Sequence, residues 1–269
     1  MAYEKLTLDI ADTIATLTFN DPDTLNAVSG AMLKSLDLAL DAVEDEDNGV
    51  RCLLITGAGR GFCAGANVVN MGGDGDKKSD RPNRPMDAGS GLETGYHPIL
   101  RRLRNLHCPI VTAVNGPAAG IGMSFALMGD MVLAGKSAFF LQAFRRIGLV
   151  PDGGASWILP RLVGMARARE LTIMGERLPA EKALEWGLVN RVCEDDALMV
   201  EAQKLAAELA RGPMSLGLIR NLLWESPDST YEEQLNRERQ AQRRAGRTSD
   251  FSEGVAAFTE KREANFTGR

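Results

Sequence analysis

Two glycine-rich segments carry the first chemical signal in this 269-residue chain: Gly57-Ala58-Gly59-Arg60-Gly61-Phe62-Cys63-Ala64-Gly65-Ala66 and Asn115-Gly116-Pro117-Ala118-Ala119-Gly120-Ile121-Gly122. Each follows a short apolar run. Lacking a Cβ, glycine lets the backbone approach a ligand closely. Two backbone N–H groups converging on one carbonyl oxygen form an oxyanion hole, which stabilises an enolate by several kcal/mol once water is excluded. On spacing alone, plain tight turns explain the two segments equally well. Gly59-Arg60-Gly61-Phe62-Cys63-Ala64 also fits the dinucleotide pattern G-x-G-x-x-A. That fold requires a long helix right after the glycines and an acidic residue after the next strand, whereas here the chain runs into the Gly72 to Gly91 stretch. Ser124, in Gly122-Met123-Ser124-Phe125-Ala126, lacks the second glycine of a nucleophile elbow, which argues against a serine hydrolase. With His97 and His107 as the only histidines, acid–base chemistry falls to carboxylates or a single imidazole. Asp152, in Pro151-Asp152-Gly153-Gly154, is one such carboxylate; its alternative is a turn residue or helix N-cap.

Periodicity supplies the elements that must hold these residues. Leu6 to Ile10 and Ile14 to Phe19 alternate apolar and polar about Ala11-Asp12, which predicts an antiparallel hairpin. From Ser29 as N-cap, Met32, Leu33, Leu36, Leu40 and Val43 keep helical spacing, and Asn48-Gly49 closes the segment by turn chemistry. Arg51 to Thr56 is a strand feeding the first glycine segment. Ile110 to Val114 is a strand feeding the second, with a helix through Leu127. Met71 to Gly91 has no periodicity and is expected to be a mobile surface loop bordering a site and shaping its pocket. After a strand at Met131 to Ala134 the chain reads as helical near Met165 to Met174, Ala180 to Trp186, Ala197 to Arg211, Met214 to Leu223 and Tyr231 to Arg244. A last helix, capped by Ser249, carries Phe251, Val255 and Phe258 on one side. A strand-rich first half and a helical second half predict an α/β core with a helical appendage.

A composition of 44% hydrophobic and 25% charged residues excludes global disorder. No apolar run approaches the roughly 20 residues that cross a bilayer, and the start has no signal pattern, so a cytoplasmic protein with no membrane partner is expected. The net charge of −5 argues against a nucleic-acid surface. Basic clusters at Arg101-Arg102, Arg145-Arg146, Arg237 to Arg247 and Lys261-Arg262 read as solvated helix faces or as contacts to a phosphorylated small molecule. Cys52, Cys63, Cys108 and Cys193 lie far apart with no C-x-x-C pair, so neither disulfides nor a metal site is expected.

The two glycine segments, together with Asn26-Ala27, Glu185-Trp186-Gly187-Leu188-Val189 and the tail Glu253-Gly254-Val255-Ala256-Ala257-Phe258-Thr259-Glu260-Lys261-Arg262, resemble the crotonase (enoyl-CoA hydratase/isomerase) superfamily over nearly the whole chain. The resemblance implies an α/β fold, a crotonase-like spiral of ββα turns over residues 1–195 that binds acyl-CoA. A C-terminal helical trimerisation region would follow over residues 196–269. It implies a homotrimer or dimer of trimers acting on acyl-CoA thioesters with no separate cofactor, coenzyme A being part of the substrate. It places the oxyanion hole at the backbone N–H groups of Ala66 and Ile121, the second departing from the family's usual glycine. It assigns Leu25, Ala27, Ala64, Asn67, Gly120, Phe144, Pro151, Phe258 and Lys261 to coenzyme A or substrate, the last two from a neighbouring subunit.

Family hydratases carry two glutamates at the positions held here by Ser124 and Phe144. Ordinary hydration needs those paired carboxylates, so the resemblance shifts to isomerases. The segment Gln142 to Asp152, with Ile158-Leu159-Pro160-Arg161-Leu162-Val163-Gly164, is similar to phenylacetate-pathway epoxyphenylacetyl-CoA isomerases and related enoyl-CoA isomerases, in which an aspartate matching Asp152 is the acid–base group. One carboxylate suffices for a 1,3-proton shift, and an apolar surround of Phe144, Ile147, Leu149 and Val150 is expected to raise its pKa. The alternatives are a hydratase, a 4-chlorobenzoyl-CoA-type dehalogenase with His97 and Asp152 in its site, and a non-catalytic acyl-CoA-binding member. Ser124 and His97 are further pocket candidates.

Overall fold

Alternating burial builds the first hairpin: β1 (Leu6–Ala11) and β2 (Ile14–Phe19) pair antiparallel, with Ala15, Leu17 and Phe19 turned into the core. The computed structural model describes residues 3–67 and 87–269. Most of the Met71 to Gly91 stretch lies outside the described residues. The helix α1 (Gly30–Glu44) starts where expected: the Ser29 hydroxyl accepts the Met32 N–H at 3.2 Å, and Met32, Leu36, Leu40 and Val43 line its buried face. It returns the chain to β3 (Cys52–Gly57), which pairs parallel with β2.

A wide helical turn over Leu92–Tyr96 leads into α2 (His97–Arg104), and β4 (Ile110–Val114) then pairs parallel with β3. The second glycine segment contains the two-residue strand β5 (Ala118–Ala119) and ends at α3 (Ile121–Ala126). Next come β6 (Met131–Gly135), β7 (Phe139–Leu141), a 3-10 turn at Ala143–Ile147, α4 (Ala155–Arg169), β8 (Arg177–Pro179), α5 (Ala180–Glu185) and β9 (Arg191–Cys193). The helix α4 begins ten residues before the periodic stretch at Met165 and breaks at Gly164, whose φ of 79° and ψ of 159° are not helical.

Each turn of the chain adds a strand to one of two sheets, the larger ordered β1-β2-β3-β4-β6-β9 and the smaller β5-β7-β8. This is the ββα spiral. The central strands β3 and β4 of the larger sheet are buried on both faces. Leu53, Ile55, Ile110 and Val114 pack toward α1, α2 and α3, while Cys52, Leu54, Val111, Ala113 and Leu133 pack under α6 (Leu198–Ala210) through Ala202, Leu205 and Ala206. Then α7 (Ser215–Glu225), α8 (Tyr231–Ala245) and α9 (Ser249–Glu260) complete the chain. The cap of α9 is Thr248, which accepts the Phe251 N–H at 3.1 Å; Ser249, the expected cap, bonds the Arg269 carbonyl instead. All four cysteines are unpaired, and three are buried.

Candidate active site

Two asparagines close the first glycine segment. Asn26 is buried at φ 60° beside Leu25 at φ 54°. Consecutive non-glycine residues in this region cost about 1 to 2 kcal/mol each. The Asn26 amide offsets that cost: Nδ2 donates to the carbonyls of Ala58 (3.0 Å) and Gly61 (2.7 Å), and Oδ1 accepts from the Asp21 N–H (2.8 Å). From the other side Asn115 accepts the Gly57 N–H at 3.2 Å and donates to Gly59 (2.9 Å) and Gly61 (3.3 Å). The Leu25 carbonyl then takes the Ala64 N–H at 2.9 Å.

A parallel bridge between Cys63 and Ala118 lays the two glycine segments side by side, with the Cys63 N–H donating to Pro117 (3.0 Å) and the Ala119 N–H to Cys63 (2.9 Å). A few residues on, one segment reaches Ala66 and the other Ile121. Behind Ala66, the Val28 N–H donates to Gly65 at 2.8 Å and the Asn67 N–H to Val28 at 3.0 Å. Gly120 turns the chain into α3 at φ 53° and ψ −126°, a conformation that favours glycine. The N–H groups of Ala66 and Ile121 have no acceptor among the described residues. Ile121 is only 2% exposed, and buried backbone N–H groups are nearly always paired. These two are donors held in reserve.

Asp152 lies against the same helix. Its backbone carbonyl accepts the Ser124 hydroxyl at 3.2 Å and the Ala155 N–H at 3.0 Å. Its side chain is not the N-cap of α4, a place taken by Gly154, and its Oδ1 is buried with no hydrogen-bond partner among the described residues. Gly153 makes this close seating possible. A Cβ there would fall 2.3 Å from Ile121 Cδ1 and 2.8 Å from Ser124 Oγ. Burial pushes the Asp152 carboxyl up to about 6, with the charge of His97 pulling the other way.

The expected apolar surround needs correcting. Ile147, Leu149 and Val150 are exposed, Val150 at 78%, because the 3-10 turn and Gly148 swing them outward while Arg145 and Arg146 bond the Met174 and Gly175 carbonyls. Only Phe144 of that group is buried, its ring facing Gly120. Asp152 is instead seated against α3 through its carbonyl and Gly153; burial, with the Asp152 charge adding to it, pushes the Tyr96 phenol up to about 12.

Residues 9–269 match the family model described as enoyl-CoA hydratase/isomerase. The chain belongs to the enoyl-CoA hydratase/isomerase (crotonase) family. It is 45% identical over 257 residues to a 1,2-epoxyphenylacetyl-CoA isomerase of Escherichia coli, covering 95% of each chain. It is also 32% identical over 273 residues to a crotonyl-CoA hydratase of Syntrophomonas wolfei, covering 100% of each. Among solved structures, an enoyl-CoA hydratase from a Polaromonas species superposes with a TM-score of 0.87 at 33% identity, covering 97% of this chain and 99% of that one.

Against this crotonase frame, the fold brings Leu25, Ala27, Ala64, Ala66 and Asn67 together on one half-buried edge. Gly120, Ile121, Ser124, Phe144, Pro151 and Asp152 gather around the start of α3. Phe258 and Lys261 are elsewhere. Both are exposed, Phe258 at 88%, and Phe258 borders a cavity of about 800 Å³ between α7, α8 and α9 that neither Ala66 nor Ile121 lines. Most basic clusters are engaged internally: Arg101 with Glu93, Arg102 with Asp37, Asp41 and Glu44, and Arg262 with Glu253 and Glu260. Sequence reasoning quoted Asn26 and Asn115 only as parts of motifs and gave them, like Glu93, no role at the site. Asn26 had a readable signal, since asparagine is the side chain that best tolerates a left-handed bend.

Proposed function

We propose that this crotonase-family member is an enoyl-CoA isomerase that shifts a double bond, or opens an epoxide-derived ring, with Asp152 as its one acid–base group. The observation that carries the reading is the buried, unpartnered Oδ1 of Asp152 on a loop seated against α3, the helix whose first N–H, that of Ile121, has no acceptor among the described residues; the resemblance puts Ser124 and Phe144 where hydratases carry their glutamates. The thioester carbonyl oxygen accepts from the Ala66 and Ile121 N–H groups. The Asp152 carboxylate removes a proton beside it, the hole holds the dienolate, and the same carboxyl returns the proton two carbons away. A carboxyl that titrates near 6 is suited to both halves of that transfer. Phe144 holds an apolar ring over Gly120 and transfers no proton. Leu25, Ala27, Ala64 and Asn67 border the path of coenzyme A, and Phe258 and Lys261 of a neighbouring subunit complete it.

The isomerase name of the Escherichia coli relative supports this reading and makes a ring-bearing acyl group one candidate substrate. We read the assembly as a cytoplasmic homotrimer or dimer of trimers with no cofactor beyond the coenzyme A of its substrate. In support, Phe251, Val255 and Phe258 form an exposed apolar row on α9, and no helix among the described residues is long and apolar enough to cross a membrane. The test is an ultraviolet assay of the wild type and Asp152→Asn on a 3-enoyl-CoA. Absorbance gained by the wild type alone establishes isomerisation. Absorbance lost on a 2-enoyl-CoA, with no gain on the 3-enoyl thioester, marks a hydratase and overturns the reading.

A further inference from the structure

Gly153 is the first buried residue after an exposed run from Arg145 to Val150, so the loop that carries Asp152 is anchored at this glycine. Its neighbours come from one face of α3. Ile121 and Ser124 are three residues apart and therefore adjacent on the helix surface. A Cβ built on Gly153 would collide with Ile121 Cδ1 and would lie 2.8 Å from both Cβ and Oγ of Ser124, so the terminal methyl of Ile121 rests on the glycine itself. A long, buried apolar side chain on the helix meets a loop residue that has no side chain. The Ser124 hydroxyl adds its hydrogen bond to the Asp152 carbonyl at 3.2 Å. The start of α3 is fixed from the other direction too. Gly122, the next residue, packs so tightly on Cys63 that a Cβ there would strike the Cys63 carbonyl. The first glycine segment therefore holds α3, and α3 holds the loop through Ile121 and Ser124. Of these two, Ile121 is the one whose backbone N–H has no acceptor among the described residues.

We propose that Ile121 serves the site twice: its backbone N–H is an oxyanion donor, and its side chain is the spacer that holds the Asp152 loop at working distance from that donor. The inference rests on the isomerase reading above. In this scheme the side chain meets Gly153 rather than the reacting carbons, so it is a positioning element that acts through the loop. What it supplies is distance. A general base must stand within hydrogen-bond reach of the proton that it takes, and a misplacement of about 1 Å at such a site costs about 100-fold in rate. The loop has little else to set that distance, since Ile147, Leu149 and Val150 are exposed and Asp152 Oδ1 has no hydrogen-bond partner among the described residues. When the spacer is shortened, the thioester still binds, but the carboxylate and the oxyanion donors no longer act on the same carbon skeleton at once. The loss therefore falls on kcat and not on KM.

The test compares the wild type, Ile121→Val, Gly153→Ala and the double variant in steady-state isomerisation of a 3-enoyl-CoA, with a melting curve for each protein and rates taken where all are folded. Ile121→Val keeps the β-branched residue and deletes only the methyl that rests on Gly153. It is expected to lower kcat about five- to tenfold with KM within about twofold of the wild type. Gly153→Ala suffers from the collision with that methyl and from its φ of 58°. Its loss in kcat is expected to be at least about fivefold smaller when Ile121→Val is also present, because one of the atoms it strikes is gone. Ile121→Val decides alone if Gly153→Ala does not fold. A wild-type kcat in Ile121→Val, a KM that rises while kcat holds, or strictly additive effects of the two substitutions overturns the spacer role and leaves the isomerase reading standing. Absence of any isomerisation by the wild type overturns both.

Discussion

The hydroxyl of Ser124 donates to the backbone carbonyl of Asp152 at 3.2 Å. A position that holds a glutamate in family hydratases thus braces, in this chain, the loop that carries the proposed base. Removing the hydroxyl in Ser124→Ala is expected to cost about 1 kcal/mol of stability and to lower kcat several-fold with KM little changed, since the proposed coenzyme A edge is untouched. Ser124→Glu is expected to gain no hydratase activity. Gly153 already sits so close that even its missing Cβ would lie 2.8 Å from Ser124 Cβ, leaving no room for a longer side chain. Urea melts and initial rates on 2-enoyl and 3-enoyl thioesters check both; water addition by Ser124→Glu would count against the packing argument.

The raised pKa of Asp152 fixes two pH signatures. Proton abstraction needs the carboxylate, so kcat/KM is expected to rise with pH up to a bend near 6 and to level off above it. For stability the sign is opposite. The folded-state pKa lies above the ordinary 3.8, so the folded state binds the proton more tightly. That stabilising contribution is complete below about pH 3.8 and is lost as pH rises through about 6. Asp152→Asn, which never ionises, is therefore expected to be more stable than wild type at pH 7, by at most about 3 kcal/mol, with the gap closing toward pH 4. Denaturant titrations of the two proteins at pH 4, 5.5 and 7 measure it, and a gap that does not change with pH refutes the burial argument.

The difference between what the sequence revealed and what it hid follows from the length scale of each signal. Ser29 and the period-2 hairpin of Leu6 to Phe19 are local patterns: both strands appear within a residue of their expected bounds and α1 starts right after Ser29, although it ends at Glu44, before a 3-10 turn that runs to Asn48. The strands β5, β7, β8 and β9 are two or three residues long, too short for alternation to register; pairing across the spiral defines them. At the site, glycine spacing marked the two segments, but not that they adjoin, which the Cys63–Ala118 bridge and the Asn115 hydrogen bonds show. The motif containing Asp152 was readable, whereas its surround was not. Ile147, Leu149 and Val150 are apolar in type yet face outward, since the hydrogen bonds of Arg145 and Arg146 to a distant turn decide their direction.

Asn26 and Asn115 both donate to the carbonyl of Gly61, so their contributions are coupled. Asn26→Ala removes three hydrogen bonds from a buried left-handed bend and is expected to cost about 2 to 4 kcal/mol. Asn115→Ala is expected to cost less, because its side chain is only half-buried. Once one amide is gone the Gly61 carbonyl still has the other, so the double variant is expected to lose more than the sum of the singles. Equilibrium unfolding of the four proteins of this cycle gives the coupling directly, and strict additivity would show that the shared carbonyl plays no part in holding the segment.

The backbone of Gly120 sets the direction of the Ile121 N–H, and the geometry separates strain from crowding at this position. A Cβ on Gly120 meets its nearest neighbour, Phe144 Cζ, at 3.6 Å, an ordinary contact, while the φ of 53° strains any L side chain. Gly120→Ala is therefore expected to cost about 1 to 3 kcal/mol through the backbone and to turn the Ile121 N–H away from the thioester oxygen, lowering kcat by about 100-fold or more. Because crowding is not the cause, the double variant Gly120→Ala with Phe144→Ala is expected to recover neither stability nor rate. Steady-state kinetics on a 3-enoyl-CoA decide the matter: recovery in the double variant would mean that the aromatic wall, and not the turn, governs the oxyanion donor.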